Sequence, residues 1–135
     1  MGKWVVRKAG WVVRDGKKFF VVKRNIRNQY TDISLPKWHI EEWETVEMAA
    51  LREVLEETGM ACDIVGDLWS VSYWNPEWLI EARYFAMYVK EKKTDKLFSD
   101  VNEVITWNYE EISQLLTYGT DKIILERWEK FFRWK

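Results

Sequence analysis

The sequence predicts an α/β or α+β sandwich, a mixed sheet with helices on its faces, and three observations carry that prediction. Apolar and polar residues alternate through the first quarter around an Asp15-Gly16 pair, the period turns helical between Thr45 and Gly59, and alternation then returns before a helical C-terminus. With 135 residues, 47% of them apolar and only 2 prolines, the chain has material for one folded domain over residues 1–135 and not for two.

Residues 4–14 read as a strand, Asp15-Gly16 as a hairpin turn and residues 18–24 as the partner strand. The polar stretch 25–32 reads as a loop. Residues 33–35 form a short extended piece stopped by Pro36, which lacks a backbone donor and locks its own φ. Thr45 offers an N-cap, Glu47 suits the positive end of the helix dipole and Gly59 supplies a left-handed cap, so residues 46–58 are expected to be helical. Strands follow at 64–74 and 79–90, separated by Asn75-Pro76, with a shorter one at 104–107. Two helices close the chain, at 110–116 and 121–132, broken by Tyr118-Gly119. The second places Ile124, Leu125, Trp128 and Phe131 on one face.

Composition excludes several classes. The longest uncharged apolar run, Tyr84 to Val89, has six residues, far short of the roughly 20 that span a bilayer. The N-terminus has no apolar stretch of a signal peptide, so a cytoplasmic location is expected and no membrane partner. Lys and Arg (21) balance Asp and Glu (22), leaving no global field to attract nucleic acid. Cys62, a single cysteine in an apolar-patterned stretch, is expected to be a buried thiol without chemistry.

The charge is nevertheless unevenly placed. Seven Glu and one basic residue, Arg52, lie between Glu41 and Glu57, a crowding that destabilises a helix unless a cation neutralises it. At about 100° per residue, Glu53, Glu56 and Glu57 share one helix flank while Ala50, Leu51, Val54 and Thr58 point toward a core. Helix spacing alone leaves two readings open, a solvated acidic face and a site for a hard cation such as Mg²⁺, which takes one or two carboxylates plus waters and phosphate oxygens.

A motif shifts the balance between them. Trp38, five residues, Glu44, seven residues and then Arg52-Glu53-Val54-Leu55-Glu56-Glu57-Thr58-Gly59-Met60 resembles the Nudix box, G-x5-E-x7-R-E-U-x-E-E-x-G-U with U aliphatic, at every fixed position except the first glycine. Ala9-Gly10, Leu35-Pro36-Lys37, Glu103 to Trp107 and Glu110-Glu111 extend the resemblance over nearly the whole chain. It implies a Nudix-type α/β/α sandwich with a mixed sheet between helices. It also implies a hydrolase that uses Mg²⁺ or Mn²⁺ to cleave a nucleoside diphosphate linked to another moiety.

By the same resemblance Glu53, Glu56 and Glu57 are the metal-binding carboxylates, the Lys37 carbonyl is a further ligand, Arg52 orients the glutamates and Glu44 anchors the loop to the helix. The general base of the family varies between a box glutamate and one from a later loop. Glu53 and Glu103 are the candidates here, with Glu53 preferred. Lys37 and His39 are candidates for outer phosphates and Tyr84 for stacking on a base. Leu35-Pro36-Lys37-x-His39 and the tail around Tyr118 and Asp121-Lys122 are similar to the diadenosine tetraphosphate hydrolase branch. The implied partner is a nucleotide or dinucleotide polyphosphate, met by a monomer or homodimer. The alternatives are a house-cleaning hydrolase of modified nucleoside triphosphates and a binding module that holds nucleotide without cleaving it.

The 10 tryptophans bear on that choice because Trp11, Trp38 and Trp43 stand where the family pattern has glycine. Glycine there permits positive φ or close approach of backbone to phosphate, so an indole is expected to strain the loop and impair catalysis. Three explanations stay open: a loop re-formed around Trp, deliberate substitution, or UGA codons that mean glycine in the source and are read as tryptophan.

Overall fold

The computed structural model describes residues 5–26, 30–74, 76–93 and 103–133. In chain order the elements are β1 (Val5–Asp15), β2 (Lys18–Ile26), β3 (Tyr30–Ser34), β4 (Lys37–His39), α1 (Val46–Thr58), β5 (Met60–Trp74), β6 (Leu79–Lys92), β7 (Glu103–Asn108), α2 (Tyr109–Leu115) and α3 (Gly119–Arg133). Trp4 and Asn75 lie outside the described residues, as does the Phe131 side chain.

The strands form one mixed sheet in the order β3-β2-β1-β6-β5, with β4 added to β1 and β7 to β2. β1 and β6 run parallel from Val5↔Leu79 to Arg14↔Tyr88. Ala9 to Arg14 are all buried because β1 is covered on both faces, which is why its run is continuously apolar at the centre. Alternation then sorts side chains by face. Ala9, Trp11 and Val13 join Ala49, Ala50 and Val54 of α1 in one core cluster. Val12 joins Ile112, Leu116, Ile124, Leu125 and Trp128 of the C-terminal helical region in the other. The α/β/α sandwich of the sequence reading is therefore the observed architecture, and no helix among the described residues is long and apolar enough to cross a membrane.

α1 has the bounds its caps predict. The Thr45 hydroxyl accepts the Met48 N–H at 3.1 Å. At the other end Gly59, at φ 75°, donates its N–H to the Leu55 carbonyl. Elsewhere pairing lengthens the elements. The expected loop at 25–32 yields on both sides to strand, where Asn25 and Ile26 of β2 pair with Thr31 and Tyr30 of β3. Polar composition does not prevent a strand when a neighbour supplies the ladder. β5 starts at Met60 rather than 64, because β6 continues far enough to pair it (Met60↔Lys92). The short strand β4 was not foreseen. Its three residues lie against β1 as Lys8↔His39, Ala9↔Trp38 and Gly10↔Lys37.

Two backbone positions correct the expectation about glycine. Trp11, Trp38 and Trp43 all have negative φ, since among the described residues only Gly16, Gly59 and Trp69 have positive φ. Trp11 is buried beside the small Ala49 and Ala50, while Trp38 and Trp43 are 45% and 70% exposed, so neither loop indole is forced into a strained backbone. The tryptophan that sits where glycine belongs is Trp69, at φ 70° in the register shift of β5 between Asp67 and Ser70. Glycine is also required at Gly10, where a Cβ would lie 2.5 Å from the Tyr84 ring and 2.9 Å from the Pro36 carbonyl oxygen.

Candidate active site

Arg52 is the hub of the acidic helix. Its Nε donates to Glu44 Oε2 at 2.6 Å and its Nη2 to Glu44 Oε1 at 2.9 Å, a two-pronged pair across eight residues. Its Nη1 donates to Glu53 at 2.5 Å and to Glu56 at 3.2 Å. Glu44 also accepts the Glu41 N–H at 3.0 Å, so one carboxylate ties the loop to itself and to α1, the anchoring role expected of it. The Arg52 hydrogen bonds hold the Glu44 carboxyl below the usual range, and Glu44 holds the guanidinium above its own.

The three glutamates are not equivalent. Glu53 and Glu57 are buried, 5% and 3% exposed, whereas the Glu56 side chain is 48% exposed. Burial, and then the charge of Glu57, push the Glu53 carboxyl up to about 7 against the pull of Arg52. A solvated acidic face would show neither the burial nor the shift, so that reading fails for Glu53 and Glu57. Among the described residues no three His, Cys, Asp or Glu side chains are gathered into a ready cluster for a metal, and Arg52 bridges Glu53 and Glu56. The donors nevertheless fit a divalent cation. Glu53 and Glu57 are buried carboxylates that repel each other, and their hard oxygens suit such an ion.

Beside this helix β4 carries Lys37 and His39. Lys37 borders a cavity of about 510 Å³ together with Lys8, Trp38, Tyr73, Tyr118 and Asp32, and its Nζ lies 5.5 Å from the centre of the Tyr73 ring. His39 is exposed and borders a different hollow, with Glu41 and Glu44, so the two candidate phosphate contacts do not share a cavity. Tyr84 is corrected outright. It is 1% exposed within the core, its ring packed where Gly10 leaves room and its hydroxyl 3.5 Å from Asp121 Oδ1, so it has no free face to stack on a base. Glu103 begins β7 at an exposed position 3.8 Å from Lys23, and the charges that act on Glu53 are those of Glu57, Arg52 and Glu56 rather than its own.

Residues that the sequence reading named only for their resemblance, without a role, come from the C-terminal region. Asp121 is fully buried and accepts the Leu35 N–H at 3.3 Å, while Thr117 exchanges two hydrogen bonds with Ile33, one from its N–H and one to its hydroxyl. Burial drives the Asp121 carboxyl up to about 6. These bonds hold the corner between α2 and α3 against the β3–β4 segment and make Tyr118 a wall of the cavity. The resemblance of the tail around Tyr118 and Asp121-Lys122 was the signal, and it does not say which strand receives that tail.

Residues 5–130 match the NUDIX domain family. The chain belongs to the NUDIX family. Over 41 residues it is 51% identical to the putative mutator protein MutT4 of Mycobacterium tuberculosis, a match covering 30% of this chain and 16% of that protein. Its fold is similar to a NUDIX hydrolase from Nitrosomonas europaea (TM-score 0.82, 18% identity, 93% and 89% of the two chains). It is also similar to a MutT protein from Methanosarcina mazei (TM-score 0.78, 22% identity, 98% and 99%). A C. elegans Ap4A hydrolase binary complex matches with TM-score 0.81 and 18% identity over 96% and 99%. Within the NUDIX frame the Arg52-centred helix carries the segment that resembles the box.

Proposed function

We propose that this NUDIX chain is a divalent-cation-dependent pyrophosphohydrolase of nucleoside polyphosphates, with a dinucleoside polyphosphate such as diadenosine tetraphosphate as substrate. The observation that carries the reading is the pair of buried carboxylates on the box helix, Glu53 and Glu57, the first of them held by Arg52 and shifted to about 7. Glu53, Glu56 and Glu57, with the Lys37 carbonyl, would hold Mg²⁺ or Mn²⁺. Bound there, the ion supplies neutralisation of phosphate charge and acidification of a water.

The chain's own groups do the remainder. Glu53 accepts a proton as water attacks phosphorus and the bond from phosphorus to the leaving phosphate oxygen breaks. Arg52 keeps the Glu53 carboxylate turned to its task and Glu44 keeps Arg52 in place. The Lys8 and Lys37 ammonium groups attract the outer phosphates, and the aromatic walls Tyr73, Tyr118 and Trp38 receive a base in the place first assigned to Tyr84.

The test is Mg²⁺-dependent hydrolysis of diadenosine tetraphosphate by the chain beside Trp38→Gly and Glu57→Gln. Turnover abolished by Glu57→Gln supports the hydrolase. Activity only in Trp38→Gly places the defect in the loop. Turnover of modified nucleoside triphosphates alone favours the house-cleaning reading, and nucleotide binding without turnover in either background favours a binding module.

A further inference from the structure

The cavity between β4 and the corner of α2 and α3 is zoned by charge. Lys8 and Lys37 border it, and so does a carboxylate, Asp32, that repels phosphate. Asp32 is 7% exposed; its Oδ2 accepts the Tyr118 hydroxyl at 2.8 Å, and its Oδ1 has no hydrogen-bond partner among the described residues. A carboxylate is acceptor-only with room for about four hydrogen bonds, so a buried oxygen without a partner, on a residue that borders the cavity, is a place for a donor from a ligand. The site is rigid. Asp32 stands in the β2–β3 ladder opposite Arg24, and the next residue, Ile33, is bonded twice to Thr117.

We propose that Asp32 is a specificity-determining residue that accepts a hydrogen bond from the exocyclic amino group of a purine lodged in this cavity, with the phosphates drawn toward Lys8 and Lys37. The inference rests on the nucleotide reading above and adds the class of base. An amino-bearing purine meets the acceptor with a donor, whereas a purine with oxygen in its place turns a carbonyl toward a carboxylate and leaves both unpaired.

The experiment compares kcat/KM for diadenosine tetraphosphate and its deaminated counterpart, diinosine tetraphosphate, in the wild type and Asp32→Asn. The binding of ATP and ITP is read in parallel from tryptophan fluorescence, and thermal unfolding confirms that the variant folds. Asn keeps an oxygen for the Tyr118 hydroxyl but presents an amide donor. The wild type is expected to favour the amino-bearing member of each pair by tenfold or more, and Asp32→Asn to bring the ratio to within about twofold or invert it. Equal use of the two bases by the wild type, or a preference unchanged in Asp32→Asn, overturns the proposal. Base-selective binding without turnover sinks the hydrolase reading and keeps Asp32 as the selector, turnover without base selectivity does the reverse, and neither sinks both.

Discussion

Arg52 grips Glu44 with two parallel hydrogen bonds of 2.6 and 2.9 Å, and the Glu44 side chain that receives them is 1% exposed. The pair joins the loop after β4 to the middle of α1, and the same guanidinium holds Glu53. Replacing Glu44 by Gln removes the charge and one of the two acceptors. The expected outcome is a loss of about 1–3 kcal/mol in urea unfolding, with a fall in kcat larger than any rise in KM because Glu53 loses its support. Arg52→Lys should lose nearly as much, since an ammonium cannot reproduce the fork.

Glu53 makes the stability of the metal-free protein pH-dependent. Its carboxyl titrates near 7 when folded, above the 4.5 of an unperturbed Glu, so the folded state holds the extra proton between those values. Its stabilising contribution is full below about 4.5 and is lost as pH rises through about 7, and over that window it pulls stability down with rising pH. In Glu53→Gln this component should vanish. The difference in Tm between wild type and variant, followed from pH 5 to 8 in chelator, should change in favour of the variant, and a constant difference would refute the assignment.

A divalent cation should reverse that penalty. At a Mg²⁺ concentration of about 100 Kd the gain is about 2.7 kcal/mol, which raises Tm in thermal unfolding at pH 8. Glu57→Gln should raise Tm in chelator by relieving repulsion and respond much less to added Mg²⁺. A Mg²⁺ shift equal to that of the wild type would remove Glu57 from the ligand set.

Trp69→Gly should stabilise the fold. A bulky residue at φ 70° carries about 1–2 kcal/mol of strain, and glycine gives back about 0.4–1 kcal/mol through the freer unfolded chain, so a net gain of about 1 kcal/mol is expected. The indole is 66% exposed and leaves no cavity behind. Differential scanning calorimetry reads the change, and an unchanged or lower Tm contradicts it. If UGA codons meaning glycine are the source of the misplaced tryptophans, the coding DNA will show UGA at position 69 as well as at 11, 38 and 43, and UGG at 74 and 107.

Much of the site was legible because its spacing is local. Thr45, Arg52, the three glutamates and Gly59 lie on one capped helix, where 3.6 residues per turn dictates which side chains share a flank. Tyr84 was misread because alternation shows that a strand residue faces one side and not what covers that side. α3, packed with that cluster, buries it. The strain expected at Trp38 and Trp43 was misplaced for a related reason. Residue type reports a preference for φ, whereas the β1–β4 ladder imposes one, and it holds Trp38 extended.

The sequence by itself determined the order of the longer strands and the helices, the capped acidic helix and the family, since each depends on neighbours along the chain or on fixed spacing. Only the tertiary structure decided that Glu53 and Glu57 are buried while Glu56 is not, and that Asp32, Tyr73 and Tyr118 border one cavity with Lys37. It also assigned the positive φ to Trp69. Burial, electrostatic shift and cavity shape arise from segments far apart in sequence, and their pairing is set by the packing of helices on both faces of the sheet.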